Sequence, residues 1–202
     1  MQRVFVSGGA GFIGSHICDA LIDLGCEVIC LDNLISGSID NIRNILDHPN
    51  FTFVEGDIRN YETCLETISG CNLVCHQAAL GSVPRSVDDP ITTNSHNVTG
   101  TLNVFNAART NGISRIVFAS SSSCYGDEES LPKVEHTIGT PLSPYAVSKR
   151  VSEMYSRVFH ELYSIEMIGL RYFNVFGPRQ NPEGMYAAVI PKFAKSLIQG
   201  ES

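Results

Sequence analysis

Three glycines spaced three residues apart, Gly8, Gly11 and Gly14, constrain this chain more than any other feature. They lie between a short apolar run at 3–7 and a stretch at 15–24 whose apolar residues recur at helical spacing. Gly8 permits a tight turn, Gly11 removes a side chain where phosphates must approach backbone, and Gly14 lets the helix pack closely on the strand. The unpaired N–H groups and positive dipole end of that helix then face an anion. Residues 27–32 read as a second strand ending in Asp32, at about the twenty-residue distance expected of a carboxylate that binds a ribose. Asn33 and Leu34 follow, and no arginine occurs before Arg43. The expected ligand is therefore a dinucleotide without a 2′-phosphate, NAD.

The alternation of short apolar runs and helical segments continues along the chain. Third to sixth strands are expected at 51–55, 72–76, 115–119 and 166–171, with helices between them, the longest at about 90–110 and 144–163. Successive strand–helix units favour an α/β fold with a doubly wound parallel sheet of Rossmann type, because parallel strands need crossover connections. Ligands of such sheets bind beyond the carboxyl ends of the strands. The informative residues fall there: the glycines after the first strand, Asp32 after the second, Asp57 and Ile58 after the third, Gln77 to Gly81 after the fourth, and Ser120 to Ser123 after the fifth.

Composition removes several alternatives. A formal charge of −7 and a pI near 5.3 argue against a nucleic-acid surface. The seven cysteines fall mostly in or beside apolar segments, without metal-type spacing to histidines, and read as buried thiols of a reducing cytosol; no metal site is expected. No signal peptide precedes the first strand, and no apolar run approaches the roughly twenty residues of a membrane span. A cytoplasmic protein with no membrane partner is expected.

Tyr145 and Lys149, four residues apart, would share one face of a helix. A free tyrosine, with a pKa of about 10, is a poor base near neutrality. A neighbouring ammonium and a positively charged nicotinamide would push it toward phenolate, the form that takes a proton from a substrate hydroxyl. With the turn glycines, Asp57, Ile58, Asn97, Ser121, Tyr145 and Lys149 in place, the whole chain resembles the extended short-chain dehydrogenase/reductases, and more closely their NAD-dependent nucleotide-sugar epimerase/dehydratase branch. The resemblance implies Phe12 and Ile13 beside the pyrophosphate, and Asp32, Asn33, Ser36 and Gly37 around the adenosine ribose. It implies Asp57 and Ile58 at the adenine, Gln77, Ala78, Ala79 and Gly81 along the cofactor, and Asn97 holding the architecture behind the site. Ser121, Tyr145 and Lys149 would be catalytic, Phe173 would lie at the nicotinamide, and Asn174 would face a substrate diphosphate.

The residues at 119–126 bear on the reaction. Similar dehydratases place an Asp-Glu pair just before the tyrosine equivalent to Tyr125, where this chain has Ser122, Ser123 and Cys124; Asp127 and Glu128 come after it. A base and a hydroxyl donor without an elimination acid suit oxidation at a sugar C4 and return of the same hydride. The stretches at 76–86 and 186–191 narrow the resemblance toward UDP-N-acetylglucosamine 4-epimerases. Gly81 and Ser82 would leave room for an acetamido group, with Ser121, Ser123, Tyr145, Ala187 and Val189 completing the sugar site. UDP-glucose and UDP-galactose remain open as substrates, a sugar-nucleotide dehydratase or reductase is the alternative enzyme, and a non-catalytic NAD-binding module is the alternative of another class.

Residues 1–172 are expected to form the NAD-binding domain and 173–202 to begin a smaller substrate lobe, with a helix at 186–199. Similar proteins continue well past residue 202, so an N-terminal fragment that binds NAD but shows little epimerase activity is expected. Resemblance also implies a homodimer that pairs the helices at 90–110 and 144–163.

Overall fold

The computed structural model describes residues 1–181 and 189–200. Six strands, β1 (Arg3–Ser7), β2 (Glu27–Asp32), β3 (Phe51–Glu55), β4 (Leu73–His76), β5 (Arg115–Ser121) and β6 (Glu166–Tyr172), form one parallel sheet in the order β3-β2-β1-β4-β5-β6. Around it lie α1 (Phe12–Asp23), α2 (Tyr61–Ile68), α3 (Val83–Asp88), α4 (Pro90–Asn94), α5 (Thr101–Thr110), α6 (Pro144–Tyr163) and α7 (Val189–Gln199). The strand order reverses between β1 and β4, and in such sheets that crevice takes the ligand.

Strand periodicity divides the core into two layers. Phe5, Ile29, Leu31, Val74, Ile116 and Phe118 pack on one side against α2, α5 and α6, where Phe105 stacks edge-on to both Phe118 and Phe159. Val4, Val6, Val28, Cys30 and Cys75 face the other way, onto Cys18 and Ile22 of α1. Coverage on both faces is why these strands read as near-continuous apolar runs. All seven cysteines are buried free thiols. No helix among the described residues is long and apolar enough to cross a membrane.

Several boundaries differ from expectation. Helix α1 opens at Phe12, three residues early, because Gly11 already has an extended N-cap backbone and Gly14 lies inside the first turn. Strand β5 runs on to Ser121, since Ser120 and Ser121 pair with Arg171 and Tyr172. The helix expected at 90–110 carries a π-helical segment, Ser95–Gly100, between α4 and α5, with helical backbone on both sides. That wider turn lets Asn97 reach the loop after β4: its Oδ1 accepts from Leu80 N at 2.8 Å, and its Nδ2 donates to Leu80 O and Ser148 Oγ. Of the helix expected at 186–199, residues 189–199 are helical and 186–188 lie outside the described residues.

His76 pins β4 to its neighbours. The Thr101 hydroxyl donates to Asn97 O at 2.6 Å, so it accepts from His76 Nε2 at 2.9 Å; His76 Nδ1 in turn accepts from Ser7 Oγ at 2.6 Å. The ring is neutral, and burial, helped by the Lys149 charge, lowers its pKa to about 3. An unfolded histidine binds a proton below about pH 6.5, so between that pH and about 3 the unfolded state holds more protons and stability falls as pH falls. From pH 7 to pH 5 this one group is expected to cost about 2 kcal/mol. Denaturant midpoints at the two pH values check it. His76→Gln should be less stable at pH 7 yet lose less on acidification, and equal losses in both chains would contradict the assignment.

Candidate active site

A cavity of about 590 Å³ opens at the carboxyl ends of β1, β2, β4, β5 and β6. Its first wall is the glycine turn. A Cβ on Gly14 would stand 2.1 Å from Gly8 O, and one on Gly8, at φ +72°, would meet Ala78 N at 2.6 Å. These two glycines let backbone close on backbone. A Cβ on Gly11 would touch only Gly8 O, at 3.2 Å, so the bare face of Gly11 is left to the cavity that it lines.

Asp32 anchors the second wall. Its two carboxylate oxygens accept from Ala10 N at 3.0 Å and Leu34 N at 2.9 Å, binding the turn after β2 to the glycine turn. Burial raises its pKa, opposed by those backbone donors. Gly37 stands behind this wall rather than in it, where a Cβ would meet Ala10 at 2.9 Å. Asp57 likewise turns away from the cavity, contrary to expectation. Arg59 grips its carboxylate through Nε and Nη2 and holds the pKa well below the usual range, while Asn33 Nδ2 donates to it at 2.9 Å. Gly56 and Ile58 line the cavity in its place, and Asp57 bears on the site through Asn33.

The third wall comes from β5, α6 and the segment after β6. Ser143 caps α6 by accepting from Ala146 N, and Pro144 follows at the first helical position, so the helix begins at the cavity mouth. Tyr145, Lys149, Ser121 and Ser123 line the same space. The arrangement of the pair differs from expectation. Lys149 Nζ donates to Ala119 O at 2.8 Å and sits 6.0 Å from the centre of the Tyr145 ring. Burial pushes the lysine down to about 8. Burial also raises the Tyr145 phenol, with the Ser121 hydroxyl pulling it back down. The protein alone thus holds the phenol protonated.

Of the expected residues, Gly8, Gly11, Phe12, Ile13, Gly14, Asp32, Asn33, Ser36, Ile58, Gln77, Ala78, Ala79, Gly81, Ser82, Ser121, Ser123, Tyr145, Lys149, Phe173 and Asn174 line the cavity. Gly37, Asp57 and Asn97 do not; Asn97 is the buried brace described above. Ala187 lies outside the described residues, and of Val189 only its place at the start of α7 is described. Missed in sequence were His96, Tyr172 and Gln180, whereas Ser120, expected among the residues after the fifth strand, also lines the cavity. Tyr172 Oη donates to Gln77 Oε1 at 3.3 Å, and His96 Nδ1 donates to Thr92 O at 3.0 Å. His96 gave no signal because a lone histidine in a helical run has no spacing to mark it.

Bare glycine backbone at a helix start, a buried carboxylate after β2 and a lysine–tyrosine pair opposite together fit a dinucleotide. The model of the NAD dependent epimerase/dehydratase family matches residues 4–202. The chain is 42% identical over 201 residues to a putative UDP-glucose 4-epimerase of Methanocaldococcus jannaschii, covering 98% of this chain and 64% of that protein. Among solved structures it is similar to the UDP-N-acetylglucosamine 4-epimerase of Methanobrevibacter ruminantium in complex with UDP-N-acetylmuramic acid, at 44% identity and a TM-score of 0.95 over 100% of this chain and 64% of that one. A dTDP-glucose 4,6-dehydratase of Streptomyces venezuelae, solved with NAD bound, is 34% identical with a TM-score of 0.91, covering 98% of this chain and 63% of its own. The chain therefore spans about 64% of the length of the relatives it matches.

On the expectation that Asp32 accepts from the ribose, Asp32→Ala should weaken NAD binding and narrow the preference over NADP, because that acceptor and its repulsion of a 2′-phosphate would both be lost. It also strips two backbone donors of their acceptor, a destabilisation of about 1–3 kcal/mol. Calorimetric titration of both dinucleotides checks the first effect, and unchanged relative affinities would contradict it.

Proposed function

Because the chain belongs to the NAD-dependent epimerase/dehydratase family, with NAD as its cofactor, we propose that it carries the cofactor half and the catalytic group of a UDP-sugar 4-epimerase. The preferred substrates are UDP-N-acetylglucosamine and UDP-N-acetylgalactosamine, with UDP-glucose and UDP-galactose as the alternative pair. The observation that carries the reading is the absence of an elimination acid. Among the described lining residues the only carboxylate is Asp32, at the ribose end. Asp127 is engaged by Thr140 N and Glu128 by Ser130 N, both away from the cavity. Loss of the C6 hydroxyl needs a proton donor beside it, which speaks against the dehydratase reading despite the dehydratase neighbour.

In this reading residues 1–172 are the NAD-binding domain and the segment from 173 onward begins the substrate lobe. The glycine turn receives the pyrophosphate, Asp32 the adenosine ribose, and Ile58 the adenine, with Gln77, Ala78 and Ala79 along the cofactor. Phe173 lies at the nicotinamide, Asn174 at the substrate diphosphate, and Gly81, Ser82 and Ser123 beside the sugar. Bound NAD supplies the acceptor and later the donor of the C4 hydride, and a positive ring charge. Tyr145 takes the proton of the C4 hydroxyl as the carbon is oxidised, and returns it after the 4-keto sugar has presented its other face. Ser121 hydrogen-bonds the same oxygen. Lys149, held on Ala119 O, contributes the charge that favours phenolate.

We read the assembly as a homodimer. Met154, Val158 and Leu162 leave an exposed apolar stripe along α6, and Ile91 is exposed on α4 beside it. A monomeric mass by light scattering would remove that reading.

The test is incubation with NAD and each UDP-sugar, followed by chromatographic identification of the product. An isomer of unchanged mass, formed slowly by these 202 residues, is expected, whereas loss of water would support the dehydratase. Tyr145→Phe keeps the ring and removes the ionisable hydroxyl, so turnover should fall by at least ~10²-fold while NAD remains bound. Near-normal turnover in that variant would exclude Tyr145 as the base.

A further inference from the structure

Glu153 stands one helical turn after Lys149 and two after Tyr145 on α6, so the three share a face of the helix. It is not among the residues that line the cavity, yet both of its carboxylate oxygens are bonded. Oε1 accepts from Ser120 Oγ at 2.6 Å and Arg171 Nε at 2.8 Å; Oε2 accepts from Arg171 Nη2 at 2.9 Å and Arg150 Nη1 at 3.3 Å. The Arg171 contact is the two-pronged guanidinium–carboxylate geometry that fixes orientation as well as charge. Both side chains are largely shielded, at 14% and 17% exposure, so neither can be removed without leaving the other charge stranded.

The pair ties three elements together. Through Ser120 it holds the end of β5, through its own backbone α6, and through Arg171 the end of β6. Arg171 reaches further. Its guanidinium lies 4.7 Å over the Tyr125 ring and donates to Glu135 O at 3.0 Å, and Tyr125 packs 6.0 Å from Phe173, which lines the cavity.

Consecutive strand residues point to opposite sides, so a tether on Ser120 sets the rotation at which Ser121 leaves the strand. Ser121 has a second local duty, accepting from Ser123 N to start the 3-10 turn Ser122–Tyr125. That turn is gripped in its turn by Arg171 over Tyr125 and by Cys124 Sγ against Ser120 Oγ at 3.4 Å. Both sides of Ser121 are thus fixed by groups that converge on one carboxylate.

We infer that Glu153 is a positioning residue for proton transfer: clamped by Arg171, it holds Ser120, and through Ser120 aims the Ser121 hydroxyl at the Tyr145 phenol. This rests on the reading of Ser121 and Tyr145 as the reacting pair. Arg171 and Ser120 draw the Glu153 carboxyl below its usual pKa against the effect of burial, so it is ionised wherever the enzyme works. The groups acting on the phenol are Ser121, the Lys149 ammonium and the Cys124 thiol; Glu153 works through the first.

The test follows the 13Cζ resonance of Tyr145 in NAD-saturated chain labelled at tyrosine, identified by its loss in Tyr145→Phe. Glu153→Gln retains the shape and removes the charge that Arg171 grips, and Ser120→Ala removes only the tether. In both, the transition to phenolate is expected at higher pH than in the parent, because the Ser121 hydroxyl no longer holds the phenolate form. Arg171→Lys, which keeps a charge but not the fork, should fall between. A folded Glu153→Gln chain with the parent titration overturns the inference. If that variant fails to fold, Ser120→Ala decides alone, and a parent-like titration there overturns it equally. The readout is independent of turnover, so loss of the catalytic reading through an active Tyr145→Phe chain is distinguishable from failure of the clamp.

Discussion

The carbonyl oxygen of Gly8 sets the geometry on which the rest of the site depends. Gly11 N donates to it at 3.1 Å, and the backbone of Gly14 passes so close that a Cβ there would stand 2.1 Å away. A helix forced that near the end of β1 presents its first N–H groups at the switch point of the sheet, where the crevice lies. Asp32 locks the arrangement by accepting from Ala10 N within the turn, and the next loop closes over it through Ser38 N and Asn41 Nδ2, both donating to Ala10 O. One steric allowance thus fixes the helix start, the carboxylate and the wall between them.

Helix α6 acts as a ruler on the opposite side. Tyr145 is at its mouth, Ser148 bonds the Asn97 brace, Lys149 reaches back to Ala119 O, and Glu153 clamps β5 to β6. Each is placed by helical spacing rather than by loop geometry, and elements of secondary structure hold groups more sharply than loops do. Asn97 completes the frame because the π-helical segment before α5 turns its amide onto Leu80, within the loop that runs past the cavity.

Much of this was legible in the sequence because it rests on local rules. Strands β1, β2, β4 and β5 announced themselves as apolar runs covered on both faces, the edge strands β3 and β6 as less buried runs of the same kind, and the glycines, Asp32, Tyr145 and Lys149 by fixed spacing. The π-helical segment was not legible: residues 95–100 have the same helical periodicity as their neighbours, and the wider turn is selected by tertiary bonds from Asn97 and by close packing of Gly100 on Ile58, where a Cβ would stand 2.5 Å away. Asp57 was misjudged for a related reason. A carboxylate after a parallel strand reads as facing ligand, but Arg59, two residues on, competes for it successfully. Glu153 and Arg171 carry no motif that distinguishes a clamp from a solvated charge, since their meaning lies in a contact between residues 18 apart in sequence.

In the proposed reading the lysine serves the phenol, and the charge balance around the pair is what permits it. Glu153 is neutralised by Arg171, Asp57 by Arg59, and His76 is neutral, so the buried ionisable groups nearest the catalytic end cancel or carry no charge. Lys149 is the exception: among the described residues no carboxylate pairs with it, and its partner is the carbonyl of Ala119. Burial has brought its pKa down to about 8, which leaves it mostly protonated at neutral pH but close to losing its charge. A buried cation without a counter-ion is stabilised by any anion that forms beside it. In the proposed reading the phenolate of Tyr145 is such an anion, formed as a substrate hydroxyl gives up its proton, while burial holds the Cys124 thiol, the other acid facing the lysine, above its usual pKa.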